Sequence, residues 1–324
     1  MSATKLLRRT GSVGSRMSGL GHFRPDNVVT NADLSQIMDT DDEWIRSRVG
    51  IAERRFAGED DTVISMGARA SAKAIAEAGI APTDIDTVIV ATCTLESPVP
   101  HAATQIAGAL GIHAPGSFDI NAACAGFCYG VAAADQAIRA GTSSTVLVVG
   151  SERLTAWTDP KDRATAIIFA DGAGAVVITG SDESEIGPVV WGSDETHIDA
   201  IRIDSRNGTF YQEGQTVFRW ATTKIGAVAI RAAEAAGVDL ADIDALVTHQ
   251  ANLRIIDATA RRMGIGKDKV MINIQRYGNT TGATIPLCLW EWEKKLKKGE
   301  NIILAAFGGG FTWGSIWIKW AYDS

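Results

Sequence analysis

VIVAT (88–92), VLVVG (146–150), ALVTH (245–249) and IILAAF (302–307) are apolar runs with almost no polar alternation. A strand with one wet face alternates, so unbroken runs predict strands buried on both faces, as in parallel sheets covered by helices. Between these runs the spacing becomes helical: AGFCYGVAAADQAIRAG (125–141), the segment after Asn252 and TGATIPLCLWEWEKKL (281–296) carry apolar residues three and four apart. Strands alternating with helices predict an α/β protein whose strands cross over through helices.

The pattern occurs twice. AEAGIAPTDIDTVIVAT (76–92) matches AEAAGVDLADIDALVTHQ (233–250) from Gly79 and Gly237 onward at an offset of 158, and NAACAG (121–126) faces NTTGAT (279–284) at the same offset. STVLVVGSE (144–152) faces NIILAAFGGG (301–310) at 157. Three matches in one order and at one spacing predict two copies of an α/β unit. With no low-complexity tract or Pro/Gly-rich hinge between them, the copies are expected to share one core in a five-layer αβαβα body. The expected division is a flexible N-terminal arm (1–15), a first half (16–180) and a second half (181–324).

Composition narrows the function. A chain of 324 residues with 46% hydrophobic content can bury a large core. A net charge of −7 and a pI near 5.3 argue against general binding to nucleic acid or a membrane surface, both of which need a basic field. Four cysteines (93, 124, 128 and 288) in a chain this long suggest no disulfide framework, and five scattered histidines offer no metal-ligand spacing. The N-terminal stretch is basic without the apolar run of a signal peptide, and no segment approaches a membrane span. These features suit a reducing cytoplasm.

Ligands of open α/β sheets gather beyond the C-terminal strand ends. Three polar residues are expected there: Cys124 after SFDI (117–120), His249 after ALVT, and Asn279, the second-copy counterpart of Asn121. Cys124 falls where a strand hands over to a helix, and free N–H groups at a helix start stabilise a thiolate. Cys128, one turn further on, reads as buried and inert. Taken singly, a histidine at a strand end is more often structural, and an asparagine before a helix is more often a cap; the joint placement points to an active site. Cysteine, histidine and asparagine in that order also describe papain-like proteases, but the cysteine lacks their surrounding motif and a doubled α/β pattern has no place in that fold.

The chain resembles the thiolase-fold condensing enzymes, and within them β-ketoacyl-(acyl carrier protein) synthase III. The likeness covers about residues 17–320. It rests on TNADLSQIMDTDDEWIRSRVGIAERR (30–55), DINAACAGF (119–127), DRATAIIFADGAGAVV (162–177), HQANLRII (249–256), YGNTTGATIP (277–286) and AFGGGFTWGS (306–315). The resemblance implies a homodimer that takes an acyl group from acyl-coenzyme A and joins it to malonyl-acyl carrier protein with loss of CO2, starting fatty acid or polyketide synthesis with no cofactor beyond the coenzyme A thioester. A sister condensing enzyme or acyltransferase of specialised metabolism is the alternative.

Carried over motif by motif, the resemblance makes Cys124 the acylated nucleophile and adds His249 and Asn279 to the catalytic set. Gly309 supplies the oxyanion-hole N–H alongside that of Cys124. Trp44, Arg48, Arg163 and Asn252 fall in the coenzyme A cleft. Val99 aligns with the position that sets acyl-chain size across the dimer. Arg254, Arg261 and Arg262, at i, i+7 and i+8 on one helix, form the expected docking face for the carrier protein. A thiol of ordinary pKa ~8.5 is about 3% ionised at pH 7, so lowering it to ~7 gives roughly fifteenfold more thiolate. Two donors on the malonyl enolate are each worth on the order of 10²–10³ in rate. His249 and Asn279 are therefore expected to govern condensation and the helix start to govern acyl transfer. The segment between Trp191 and Gly214 is shorter than in relatives, which bears on how the cleft is covered.

Overall fold

The computed structural model describes residues 11–203 and 208–323. Its ten principal strands are β1 (Gly14–Phe23), β2 (Thr87–Ala91), β3 (Gly116–Ile120), β4 (Thr145–Arg153), β5 (Asp171–Ser181), β6 (Val190–Ser193), β7 (Ala245–Thr248), β8 (Val270–Met271), β9 (Asn301–Gly308) and β10 (Thr312–Lys319). The principal helices are α1 (Asp42–Val49), α2 (Val63–Glu77), α3 (Ala102–Leu110), α4 (Gly126–Arg139), α5 (Gly214–Ala236), α6 (Leu253–Met263) and α7 (Thr284–Trp292).

The duplication is visible in the topology. One sheet runs β1-β5-β4-β2-β3 and the other β6-β10-β9-β7-β8, with the same pattern of parallel and antiparallel neighbours at each place. Local chemistry repeats as well. Gly79 and Gly237 both take left-handed φ of +66° and +70° at the helix exits. Asp86 accepts from the Ser144 N–H at 2.7 Å, and Asp244 accepts from the Asn301 N–H at 2.9 Å, fixing the same strand pair in each half.

Side-chain alternation explains the layers. In β4, Val146 and Val148 enter the middle core, whereas Leu147 and Val149 enter the core beneath α2 and α3. In β9, Ile302 and Leu304 face the middle and Ile303 and Ala305 face α5 and α6. Each strand is thus apolar on both faces, which is why the runs lack alternation. Helices α4 and α7 lie between the sheets, giving the expected αβαβα order.

Strand β1 pairs Gly14 with Ser181 and Ser15 with Gly180, so the expected arm of residues 1–15 ends earlier than its boundary; residues 1–10 lie outside the described residues. Gly14 and Ser15 belong to the first sheet because its edge against β5 continues to them.

Phe127 is fully buried in the middle layer, packed among side chains of α4 and both sheets. Phe127→Ala is expected to lower the unfolding free energy by about 3–5 kcal/mol in urea denaturation; a loss under about 1 kcal/mol would contradict a close-packed middle layer.

Candidate active site

Two matching turns open the middle helices. After β3, the Asn121 Oδ1 accepts from the Ala123 N–H at 3.3 Å, Ala123 takes φ of +44°, and the chain enters α4. In the second copy the Asn279 Oδ1 accepts from the Thr281 N–H at 2.8 Å, Thr281 takes φ of +53°, and the chain enters α7. Left-handed backbone at a residue with a Cβ is strained and persists where surroundings impose it. In both turns an asparagine side chain imposes it. The second turn carries Gly282 where the first carries Cys124.

These turns meet in a cavity of about 410 Å³ lined by Cys124, His249 and Asn279, with Gly308 and Gly309 and an apolar wall that includes Phe169, Ile201, Phe210 and Phe307. The three residues named from strand ends are therefore brought together. Gly308, which sequence reasoning passed over for Gly309, is required by close approach: a Cβ there would lie 2.5 Å from the Cys124 nitrogen. Gly309 lies beside it, where a Cβ would meet only Ile201 and Ala123 at ordinary contact. The Thr312 hydroxyl donates to the Ala122 carbonyl at 3.1 Å and ties this glycine turn to the cysteine turn.

His249 leaves the end of β7 with its N–H donating to the Ala305 carbonyl at 2.8 Å, so the strand pairing fixes its backbone. Its Nδ1 lies 2.7 Å from the Thr284 hydroxyl, which also lies 2.9 Å from the Thr281 carbonyl. Burial lowers the imidazole to about 3 and keeps it neutral. The Asn279 Oδ1 is engaged by Thr281, which leaves its NH2 as the free end of the carboxamide.

The thiol departs from expectation. Burial pushes Cys124 well above its ordinary value, and the Glu152 carboxylate adds to the rise against a backbone hydrogen bond that lowers it. The helix start does not outweigh desolvation, so a thiol lowered toward neutrality is not found. Glu152 itself went unnoticed in the sequence. It is fully buried, accepts from the Thr92 hydroxyl at 3.2 Å and the Cys93 N–H at 3.1 Å, and is raised to about 7 by burial. A carboxylate ending the apolar run VLVVGSE was the available signal. Cys128 is buried, and burial pushes its thiol up to about 12.

Outside the cavity, the Arg163 guanidinium sits 4.2 Å from the Trp44 ring centre and donates to the Asp39 carbonyl, with the Arg48 guanidinium 5.7 Å from the same ring. Asn252 caps α6 through the Arg254 N–H and donates to the Arg48 carbonyl at 3.1 Å, which joins it to this group. Arg254 lies 4.5 Å from the Phe218 ring centre. Arg261 and Arg262 are exposed in the last turn of α6, and the stem of Arg262 packs against Gly226. Val99 is 79% exposed and stands outside the cavity. Beyond Cys93 and Asn121 a second cavity of about 360 Å³ opens, lined by Leu95, Pro98, His101 and Phe118. A charged cleft of about 450 Å³ containing Arg16, Glu183, Lys298 and Lys319 includes none of the candidate residues.

The segment between Trp191 and Gly214 reaches the site. Ile201–Ile203 and Phe210–Gln212 pair antiparallel, and Ile201, Arg202, Ile203, Phe210 and Gln212 all line the main cavity. Three-residue strands are too short to show a period in sequence.

A raised thiol has a direct kinetic signature. Alkylation of Cys124 by iodoacetamide, followed by peptide mass, should keep accelerating with pH beyond about 9. A plateau reached near pH 7 would contradict the thiol's placement.

The chain is similar to known proteins over nearly its whole length. Sequence profiles for 3-oxoacyl-[acyl-carrier-protein] synthase III and for its C-terminal region match residues 118–195 and 233–320. Beta-ketoacyl-[acyl-carrier-protein] synthase III 2 of Streptomyces avermitilis is 45% identical over 93% of this chain and 97% of its own. Beta-ketoacyl-[acyl-carrier-protein] synthase III of Phocaeicola vulgatus is 40% identical over 96% of this chain and 98% of its own. Among solved structures, 3-oxoacyl-[acyl-carrier-protein] synthase III of Aquifex aeolicus superposes with a TM-score of 0.92 at 39% identity, covering 95% of this chain and 100% of its own. The priming β-ketosynthase of the R1128 polyketide pathway does so with a TM-score of 0.95 at 36% identity, covering 98% and 100%. With a duplicated thiolase-type fold and matches spanning nearly its full length, this chain belongs to the 3-oxoacyl-[acyl-carrier-protein] synthase III family.

Proposed function

We propose that this protein transfers an acyl group from acyl-coenzyme A to Cys124 and condenses it with malonyl-acyl carrier protein, releasing CO2 and a β-ketoacyl-acyl carrier protein that starts fatty acid or polyketide synthesis. The observation that carries the reading is one cavity holding a thiol, a neutral imidazole and a carboxamide whose NH2 is free, beside two backbone turns pressed together at Gly308 and Cys124. In acyl transfer the Cys124 sulfur attacks the thioester carbon, and the N–H groups of Cys124 and Gly309 receive the charge that moves onto its oxygen. The carbon–sulfur bond to coenzyme A then breaks, and coenzyme A leaves as the thiol with the proton that Cys124 gives up. In condensation the malonyl group loses CO2 and leaves an enolate. The Asn279 NH2 and His249, the latter in its protonated form, are the groups placed to receive that charge, each worth on the order of 10²–10³ in rate.

The outer residues fit the ends of the substrates. Trp44 with Arg163 and Arg48 offers an aromatic face and cations for the nucleotide end of coenzyme A, and Asn252 braces that group from the start of α6. Arg254, Arg261 and Arg262 give an acidic protein a basic face for an acidic carrier protein. Strand β3 is the edge of its sheet, with Phe118 43% exposed and Val99 79% exposed nearby, which supports a homodimer formed at this edge with Val99 reaching the neighbour's acyl site. Among the described residues no helix is long and apolar enough to cross a membrane. We assign the cytoplasm as its compartment, which four cysteines without disulfide partners suit.

Intact-mass analysis after incubation with acyl-coenzyme A tests the nucleophile. Cys124→Ala should take up no acyl group, and Cys128→Ala should load normally; acylation persisting in Cys124→Ala would overturn the assignment. Asn279→Ala and His249→Ala should each still load while releasing CO2 from malonyl-acyl carrier protein at least about 10²-fold more slowly. Equal loss of both steps would contradict this division.

Docking is read separately. Exposed charges act mainly on encounter, so Arg261→Glu with Arg262→Glu should raise KM for malonyl-acyl carrier protein at low salt and leave acyl loading intact. Unchanged carrier-protein kinetics would place docking elsewhere.

A further inference from the structure

Condensation as read above consumes a proton. The bond between the malonyl methylene and its carboxylate breaks, and the electron pair passes into the enolate. The enolate carbon then bonds to the acyl carbon, the acyl C–Sγ bond breaks, and Cys124 departs as a thiolate that must be protonated. The acyl-enzyme, a malonyl carboxylate and one proton from solvent thus become product, CO2 and a thiol. A carrier for that proton is needed beside Cys124.

The polar chain behind His249 says which nitrogen can carry it. The Thr284 hydroxyl has one hydrogen and two close neighbours, the Thr281 carbonyl oxygen at 2.9 Å and the His249 Nδ1 at 2.7 Å. A carbonyl only accepts, so the hydroxyl hydrogen goes to Thr281, and the hydroxyl oxygen accepts from an Nδ1–H. A neutral imidazole protonated at Nδ1 has a bare Nε2. All three groups are buried, and Thr281 is held in its left-handed turn by Asn279, so the chain has little freedom to rearrange.

We propose that Thr284 is a positioning residue: its hydroxyl holds His249 as the Nδ1–H tautomer and leaves Nε2 to take up, and then hand to Cys124, the proton that condensation consumes. The inference rests on the condensing function proposed above. With Nε2 protonated, the same chain continues to accept from Nδ1–H, and the imidazolium presents an Nε2–H to the enolate. Burial alone accounts for the lowered imidazole, and the titratable or charged side chains lining the same cavity are Cys93, Cys124 and Arg202. The incoming malonyl carboxylate and the enolate are therefore the charges that favour protonation.

Nitrogen NMR of the wild-type protein labelled with 15N in its histidine rings reads the tautomer with no substrate present. A proton on Nδ1 and a bare Nε2 at His249 are expected; the reverse tautomer would overturn the proposal. Thr284→Val keeps the shape and removes the acceptor. It should leave acyl loading within about twofold, lower the condensation kcat about ten- to a hundredfold and move the basic limb of the kcat–pH profile to lower pH, because an imidazolium with an unpaired Nδ1–H is harder to form. Thr284→Ser should restore both. A valine variant that loses loading as severely as condensation, or whose basic limb stays in place, would make Thr284 a packing residue only. If wild-type protein loads acyl groups and never condenses, the proposed function fails, and the nitrogen spectrum still decides the tautomer.

Discussion

The site depends on the middle layer. Helices α4 and α7 lie between two sheets, so their starts are fixed by close packing on both sides. Because one helix begins at the cysteine turn and the other at the asparagine turn, fixing the helices fixes the distance between nucleophile and carboxamide. Glycine is needed where backbones then meet: a Cβ at Gly150 would lie 2.4 Å from the Gly282 carbonyl, just as one at Gly308 would strike Cys124. The duplication does more than repeat a fold. It sets two equivalent turns face to face, one kept for a thiol and the other emptied to glycine.

The same packing explains the unusual electrostatics. A cavity walled by Phe169, Phe210, Ile201 and Phe307 desolvates what it holds, so the thiol rises and the imidazole falls. Both are neutral at pH 7. A neutral pair costs less to bury than an ion pair, and it leaves charge to appear only as substrate reacts, where oriented donors act most strongly.

Much of this was legible in the chain. Unbroken runs such as VLVV stated that strands are covered on both faces, and the offset of 158 foretold equal sheets and the pairing of Asn121 with Asn279. Cys124, His249 and Asn279 could be named from their joint placement at strand ends of a duplicated α/β pattern and from the motifs the chain shares with condensing enzymes. Other features leave at most a faint local signal. Gly308 differs from Gly309 only by which backbone it touches, Glu152 looks like the end of a strand, and the paired strands Ile201–Ile203 and Phe210–Gln212 are too short to show alternation. The sequence points to a lowered thiol because a helix start is visible in it, whereas the apolar wall opposite that raises the thiol is assembled from distant segments.

One cavity is proposed to perform both acyl transfer and decarboxylative condensation. Wild-type protein given acyl-coenzyme A and malonyl-acyl carrier protein tests it most directly, with released CO2 counted against the intact mass of the carrier protein. One CO2 is expected for each carrier protein that gains a β-ketoacyl chain. Acyl groups appearing on the carrier protein without CO2 release would contradict it and mark the protein as an acyltransferase that does not condense.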